Sequence, residues 1–126
     1  MRNRAIIVLM ILIFIGCDES KVQKEELIKE NIVTFSKNVF SPEEEVLCDK
    51  KSQFCSDSHG ISLAFTKEFI SEEAQNIWLK RMTKDFDATI FTMSDGIHCD
   101  TNQKICKRSK WDEKIDEVIT RRLFGN

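Results

Sequence analysis

Chemistry in this chain starts with five cysteines, Cys17, Cys48, Cys55, Cys99 and Cys106. Cysteines can bind zinc, carry electrons or cross-link, and spacing discriminates among these. Four of the five sit in two echoing units, Val46-Leu47-Cys48-Asp49 with Phe54-Cys55 and Ile97-His98-Cys99-Asp100 with Ile105-Cys106. Each reads apolar, any residue, Cys, Asp, five residues, Cys. Structural zinc sites typically space their ligands by two to four residues, and a thioredoxin-like redox site needs Cys-x-x-Cys. Six residues separate the cysteines here, so the expectation is two structural disulfides. Four cysteines permit three pairings. The chain-entropy model assigns about 2.5 kcal/mol to each short loop and about 4 kcal/mol to a bridge from Cys48 to Cys99, so entropy prefers the long bridge. Local pairing forms faster and suits two hairpins, so Cys48–Cys55 and Cys99–Cys106 are preferred.

Cys17 has its own explanation. Arg2 and Arg4 supply a positive start, residues 5–15 an apolar run, and Phe14-Ile15-Gly16-Cys17 a small residue before a cysteine, the pattern of a bacterial lipoprotein signal. Phe14 stands where Leu is usual. The apolar run is shorter than the roughly 20 residues that span a bilayer. The expectation is cleavage after Gly16 and acylation of Cys17; the alternatives are an ordinary signal peptide leaving a free thiol, or an uncleaved anchor. An odd cysteine count supports acylation, because Cys17 is the one left over. Two or three acyl chains exceed the threshold for stable attachment. Asp18 and Glu19 resemble the signal that retains lipoproteins at the inner membrane of enteric bacteria, which favours the inner over the outer membrane.

The remaining candidates have structural readings. Asp49 and Asp100 could pair as catalytic carboxylates, but an Asp beside a turn more often accepts backbone N–H groups. His59 sits in a loop, Asp57-Ser58-His59-Gly60, and His98 in a strand, without matched ligand spacing. Ser62 and Thr66 lack a nucleophile-elbow frame, and helix capping accounts for Ser62. Trp78 and Trp111 fall on apolar helical faces and are expected in the core. No catalytic residue, metal site or cofactor is expected.

The elements that would position these residues follow from periodicity. Residues 50–53 and 101–103 can turn each unit into a hairpin with its cysteines opposed. Ser94-Asp95-Gly96 joins a strand at 88–93 to one at 97–100, which makes the second unit part of a three-stranded meander. Ser62 caps a helix with Phe65, Phe69, Ala74, Ile77, Trp78 and Met82 on one face, broken near Ser71. Ser109-Lys110-Trp111-Asp112 reads as a capping box opening a helix through Trp111, Ile115, Val118 or Ile119, and Leu123, which Gly125 ends. The fold class is then α+β: a small disulfide-stabilised domain with a short antiparallel sheet and a central and a C-terminal helix on one face.

Domain organisation follows from length and charge. Removing residues 1–16 leaves about 110 residues, enough for one small domain in which cross-links add to a thin core. Residues 17–40 are expected to be the acylated cysteine and a tether. Ile28, Ile32, Phe35 and Val39 follow helical spacing there, giving a marginal amphipathic helix or one packed on the domain. Ser41-Pro42-Glu43-Glu44, a helix-start signal of at most one turn, begins a single folded domain over 41–126. The full chain has 19 basic and 21 acidic residues; losing Arg2 and Arg4 leaves a net charge of about −4, which argues against a nucleic-acid partner.

The residues Ser41-Pro42, Cys48-Asp49, Cys55 with Asp57, Gly60-Ile61-Ser62, Thr66, Phe91-Thr92, Gly96-Ile97, Cys99-Asp100 and Cys106 form an ordered pattern across residues 41–111. In this the chain resembles the small YcgJ-like envelope proteins of enteric bacteria, a family related to a protein of a Fels prophage. The lipoprotein signal, the charged 18–40 segment and the C-terminal helix depart from that pattern. The resemblance implies a place in the envelope and no defined activity. The expected function is a non-enzymatic, periplasm-facing envelope lipoprotein, held to the membrane through Cys17 and binding an unidentified protein or cell-wall partner. The alternative is an inhibitor of lysozyme type or a prophage-type exclusion factor, and a hydrolase or thiol oxidoreductase is disfavoured.

Overall fold

Apolar stretches this short, each closed by a polar turn, build strands of only two to four residues. The structure, a computed structural model, describes residues 31–125. The order is β1 (Val33–Thr34), β2 (Val39–Ser41), β3 (Leu47–Asp49), β4 (Phe54–Asp57), β5 (Gly60–Ser62), α1 (Leu63–Phe69), α2 (Glu72–Arg81), β6 (Ile90–Thr92), β7 (His98–Asp100), β8 (Ile105–Lys107) and α3 (Glu117–Phe124). Strands β1 to β5 form one antiparallel sheet in chain order, and β6 to β8 form a second. Cys48 pairs with Cys55 across β3 and β4, and Cys99 with Cys106 across β7 and β8. Both pairs are disulfides, with Cα atoms 4.0 and 4.1 Å apart. The protein is a small disulfide-stabilised α+β domain.

The echo between the two cysteine units runs deeper than their motif. Phe40, Cys48, Asp49 and Cys55 recur 51 positions on as Phe91, Cys99, Asp100 and Cys106, with Phe40 opposite Cys48 and Phe91 opposite Cys99. Glu45 and Gly96 share a positive φ, as do Gln53 and Lys104. The Lys50 N–H donates to Asn38 O, and the Thr101 N–H to Thr89 O, both at 2.9 Å. A helix follows each hairpin, capped by the side chain of Ser62 for α1 and of Asp116 for α3. The domain is therefore an internally repeated strand–hairpin–helix unit.

Alternation along the strands divides the core. Phe65 and Phe69 of α1 cover Cys48 and Cys55 on one face of the five-stranded sheet. Val39, Leu47 and Phe54 point the other way and join Phe91, Cys99, Cys106, Ile119 and Leu123 in the main core. Each helix thus covers the disulfide of its own repeat, and the antiparallel strands occupy two sheets where the sequence suggested one. Gly60 sits where β5 meets the chain entering β6, at φ +132°, and a Cβ there would lie 2.2 Å from Ala88 O.

Several expectations are met and others corrected. Ser62 and Ser71 cap α1 and α2 through their hydroxyls, so the break falls where expected. Ile77, however, is exposed. The helical spacing at 28–39 gives no helix within the described residues, since Val33–Thr34 and Val39–Ser41 are strands paired in the sheet; sheet partners override a weak periodicity. The compact unit begins at Ile32, so the later part of the expected tether is domain. Ser41 caps no helix: its hydroxyl donates to Glu43 O at 2.8 Å and accepts from Arg122 Nε at 2.7 Å.

The C-terminal helix starts at Glu117, capped by Asp116 rather than Ser109. The Asp116 N–H donates to Cys106 O at 2.8 Å, and its carboxylate meets Arg108 at 2.8 Å, so residues 109–115 form a loop. Trp111, expected in the core, is 85% exposed on that loop. Gly125 ends the helix in the left-handed conformation, as expected. Cys17 and the segment expected to be a lipoprotein signal lie outside the described residues.

Candidate functional site

Every sequence-singled polar residue near the hairpins has a structural partner. Asp49 is fully buried, and its carboxylate accepts from the Lys51 N–H at 3.0 Å and from Ser94. Asp100 accepts from the N–H groups of Asn102 and Gln103, at 2.9 and 3.3 Å. These are Asp-turn geometries, in which the carboxylate satisfies loop donors. The two carboxylates serve separate turns.

Thr66 and Thr120 are the residues sequence reasoning undervalued. The Thr66 hydroxyl accepts from the Cys55 N–H, and the Thr120 hydroxyl from the Cys106 N–H, both at 2.9 Å. Each threonine stands four residues after its helix cap, so both repeats fasten the second cysteine's strand to the following helix. A threonine at the fourth position after each cap was the legible signal, and the second was hidden by the misplaced start of α3.

The histidines do not converge. His59 is exposed in the β4–β5 turn, where its N–H donates to the Asp57 carboxylate at 2.8 Å. His98 Nδ1 lies 2.7 Å from Thr92 Oγ1. Partial burial, with help from Lys110 and Lys107 and against Asp100, holds the His98 imidazole below its ordinary pKa, so it is neutral at pH 7. Among the described residues no three His, Cys, Asp or Glu side chains gather as a metal-holding group. Trp78 packs on Phe54 with ring centroids 4.9 Å apart and donates its Nε1–H to Ser52 O at 3.1 Å, which fits its expected core role.

Two recesses stand out on the surface of the described residues. A cleft of about 420 Å³ opens between the β4–β5 turn and the β7–β8 loop, lined by His59, Thr89, Thr101, Asn102 and Lys104. A larger groove of about 470 Å³ lies between β1 and α3, lined by Val33, Phe35, Glu44, Val118 and Arg121. Arg108 Nη1 donates to Phe35 O at 3.0 Å, which brings the root of the 109–115 loop beside this groove. Val118 on the wall of the groove is exposed, as are Trp111 and Ile115 of the 109–115 loop.

A family model described as YcgJ protein matches residues 39–124. The chain belongs to the YcgJ family. The YcgJ match opens on β2 and closes on the last residue of α3, so it spans both disulfides, Thr66, Thr120 and the exposed loop. The C-terminal helix, which the sequence pattern set apart from the family, lies inside the YcgJ span. No curated protein and no solved structure matches the chain.

Proposed function

We propose that this YcgJ-family protein is an acyl-anchored lipoprotein facing the periplasm, which acts by binding an envelope protein or cell-wall component and not by catalysis. The observation that carries the reading is the lipoprotein-type sequence ending at Cys17, followed by a domain whose four other cysteines are cross-linked. The binding half draws support from the side chains suited to chemistry. Asp49, Asp100, Thr66 and Thr120 bond to backbone donors, and the four paired cysteines are buried. A disulfide-held scaffold presenting rigid loops suits a small exported binder. No transition-state chemistry enters this reading.

The test is an intact mass of the native, membrane-extracted protein, alkylated with and without reduction, followed by crosslinking in intact cells. Lipid mass on Cys17, no free thiol and a partner that rebinds the purified protein would support the proposal. An unmodified Cys17 thiol would remove the anchor. Insulin reduction lost on Cys48→Ser or Cys99→Ser would replace binding with redox chemistry. Lysozyme turnover with and without the protein distinguishes an inhibitor from a passive binder.

A further inference from the structure

We infer that the cleft between the β4–β5 turn and the β7–β8 loop is a binding site for a small zwitterion of the amino-acid or short-peptide class, whose ammonium meets Glu45 and whose carboxylate meets Lys104. This rests on the binding reading proposed above, to which it gives a site and a ligand class. The acyl anchor plays no part in it.

The walls of the cleft are fixed before any ligand arrives. The Thr101 hydroxyl lies 2.8 Å from Thr89 O and 3.3 Å from His59 O, so it ties the β4–β5 turn to the β7–β8 loop. Asn102 Nδ2 donates to Thr89 Oγ1 at 2.9 Å, and the His59 N–H donates to the Asp57 carboxylate at 2.8 Å. Walls held in advance lower the ordering cost of binding. At about 420 Å³ the space has the size of a small-molecule site.

Other polar groups on these walls are unspent. Glu45, Ser58, His59 and Lys104 all line the cleft. Neither Glu45 nor Lys104 enters a salt bridge among the described residues, although their charges are opposite and share one recess. The His59 imidazole and the Ser58 hydroxyl have no protein partner among the described residues either. Asp49, Asp100, Thr66 and Thr120, by contrast, are all taken up by structural bonds.

Comparison of the two repeats singles out Glu45. It stands 51 positions before Gly96, and the two have φ of 67° and 95°. Glycine enters that region without steric cost, whereas a glutamate is strained there. The Glu45 N–H donates to Arg122 O at 3.0 Å, a bond that glycine would make equally well. The first repeat therefore carries a carboxylate where the backbone favours no side chain, and Glu45 borders the cleft.

Charge decides the ligand class. An anion alone would reach Lys104 but face Glu45, and a cation alone the reverse. A neutral sugar would shield both charges from water without replacing their solvation. A zwitterion supplies a counter-charge to each, and charge-assisted hydrogen bonds are the strong ones. Phe124 on the same wall offers apolar surface to a short side chain.

The test titrates the native full chain, in detergent micelles, with alanyl-alanine and follows its backbone and His59 ring resonances by NMR. Shifts gathered at Glu45, His59, Asn102 and Lys104 are expected. Binding should be about tenfold weaker for N-acetyl-alanyl-alanine, which lacks the ammonium, and for alanyl-alaninamide, which lacks the carboxylate. Glu45→Gln and Lys104→Gln should each weaken alanyl-alanine to the same degree. Glu45→Gly should lose the ligand equally yet melt no lower than the native protein, which separates the loss from unfolding. Absence of shifts up to about 10 mM alanyl-alanine, ten times a millimolar Kd, overturns the site. Equal binding of N-acetylglucosamine or of either blocked peptide does so too. If a crosslinked envelope partner nevertheless rebinds the Glu45→Gln and Lys104→Gln variants, the cleft is wrong and the binding reading stands. If neither alanyl-alanine nor any partner is retained, both fail.

Discussion

The buried carboxylate of Asp49 accepts both the backbone N–H and the hydroxyl of Ser94, at 2.6 and 2.7 Å, across 45 residues of chain. The first hairpin thereby holds the β6–β7 turn of the second repeat. The carboxylate of its counterpart Asp100 accepts instead from Asn102 and Gln103 of its own loop, so the repeat is broken where the halves meet.

Asp49→Ala should leave the Ser94 and Lys51 donors without their buried acceptor. Charge-assisted bonds of this kind contribute about 1.5–3 kcal/mol each, so a loss of about 3 kcal/mol is expected. Urea unfolding of the oxidised protein measures it, and Ser94→Ala should lose less because the backbone N–H remains.

Replacing Thr66 or Thr120 by valine keeps the shape but strands a cysteine N–H against a methyl group. Each should cost about 1–2 kcal/mol, with serine restoring most of it. Hydrogen exchange at the Cys55 and Cys106 amides should quicken in the valine variants. Unchanged exchange would remove the clamping role.

Gly60→Ala forces a Cβ to within 2.2 Å of Ala88 O at a φ of +132°. A destabilisation of about 2–4 kcal/mol is expected from backbone strain and the displaced β5 edge. Thermal unfolding of this variant beside Gly125→Ala, whose Cβ would meet only a side-chain atom at 3.7 Å, isolates the clash from the φ penalty.

Removing the Cys99–Cys106 pair as a double alanine variant should cost about 2.5 kcal/mol from loop entropy, plus a cavity term in the main core. All four cysteines are buried. Reduction of the native protein should therefore follow unfolding, which the dependence of thiol release on denaturant reads directly.

Burial works to raise the Asp116 pKa, but the Ile119 N–H and Arg108 together hold it below the usual 3.8. A carboxyl depressed in the folded state adds stability above its unfolded pKa and loses it as pH falls through the folded value. Stability should thus drop below about pH 4, and Asp116→Asn should flatten that drop in acid titrations followed by circular dichroism.

Much of this was local and therefore legible. A hairpin needs only alternating residues and a turn, so both Cys-Asp units and their preferred pairing could be read from spacing. Ser62, Ser71 and Gly125 declared helix ends because capping is settled within four residues. The start of α3 was misread because Ser109 and Asp112 imitate a capping box, while the true cap, Asp116, is chosen by Arg108 and by the Cys106 carbonyl. Trp111 followed the error, appearing as core on a helix that does not exist there.

Sequence alone determined the disulfide hairpins and the α+β class, since each depends on neighbours along the chain. Only tertiary structure decided that the strands divide into two sheets, that Thr66 and Thr120 clamp the cysteine strands, and that Asp49 reaches Ser94. Those contacts join residues eleven to forty-five positions apart. Such partners are set by burial and packing of the whole core, which no local spacing encodes.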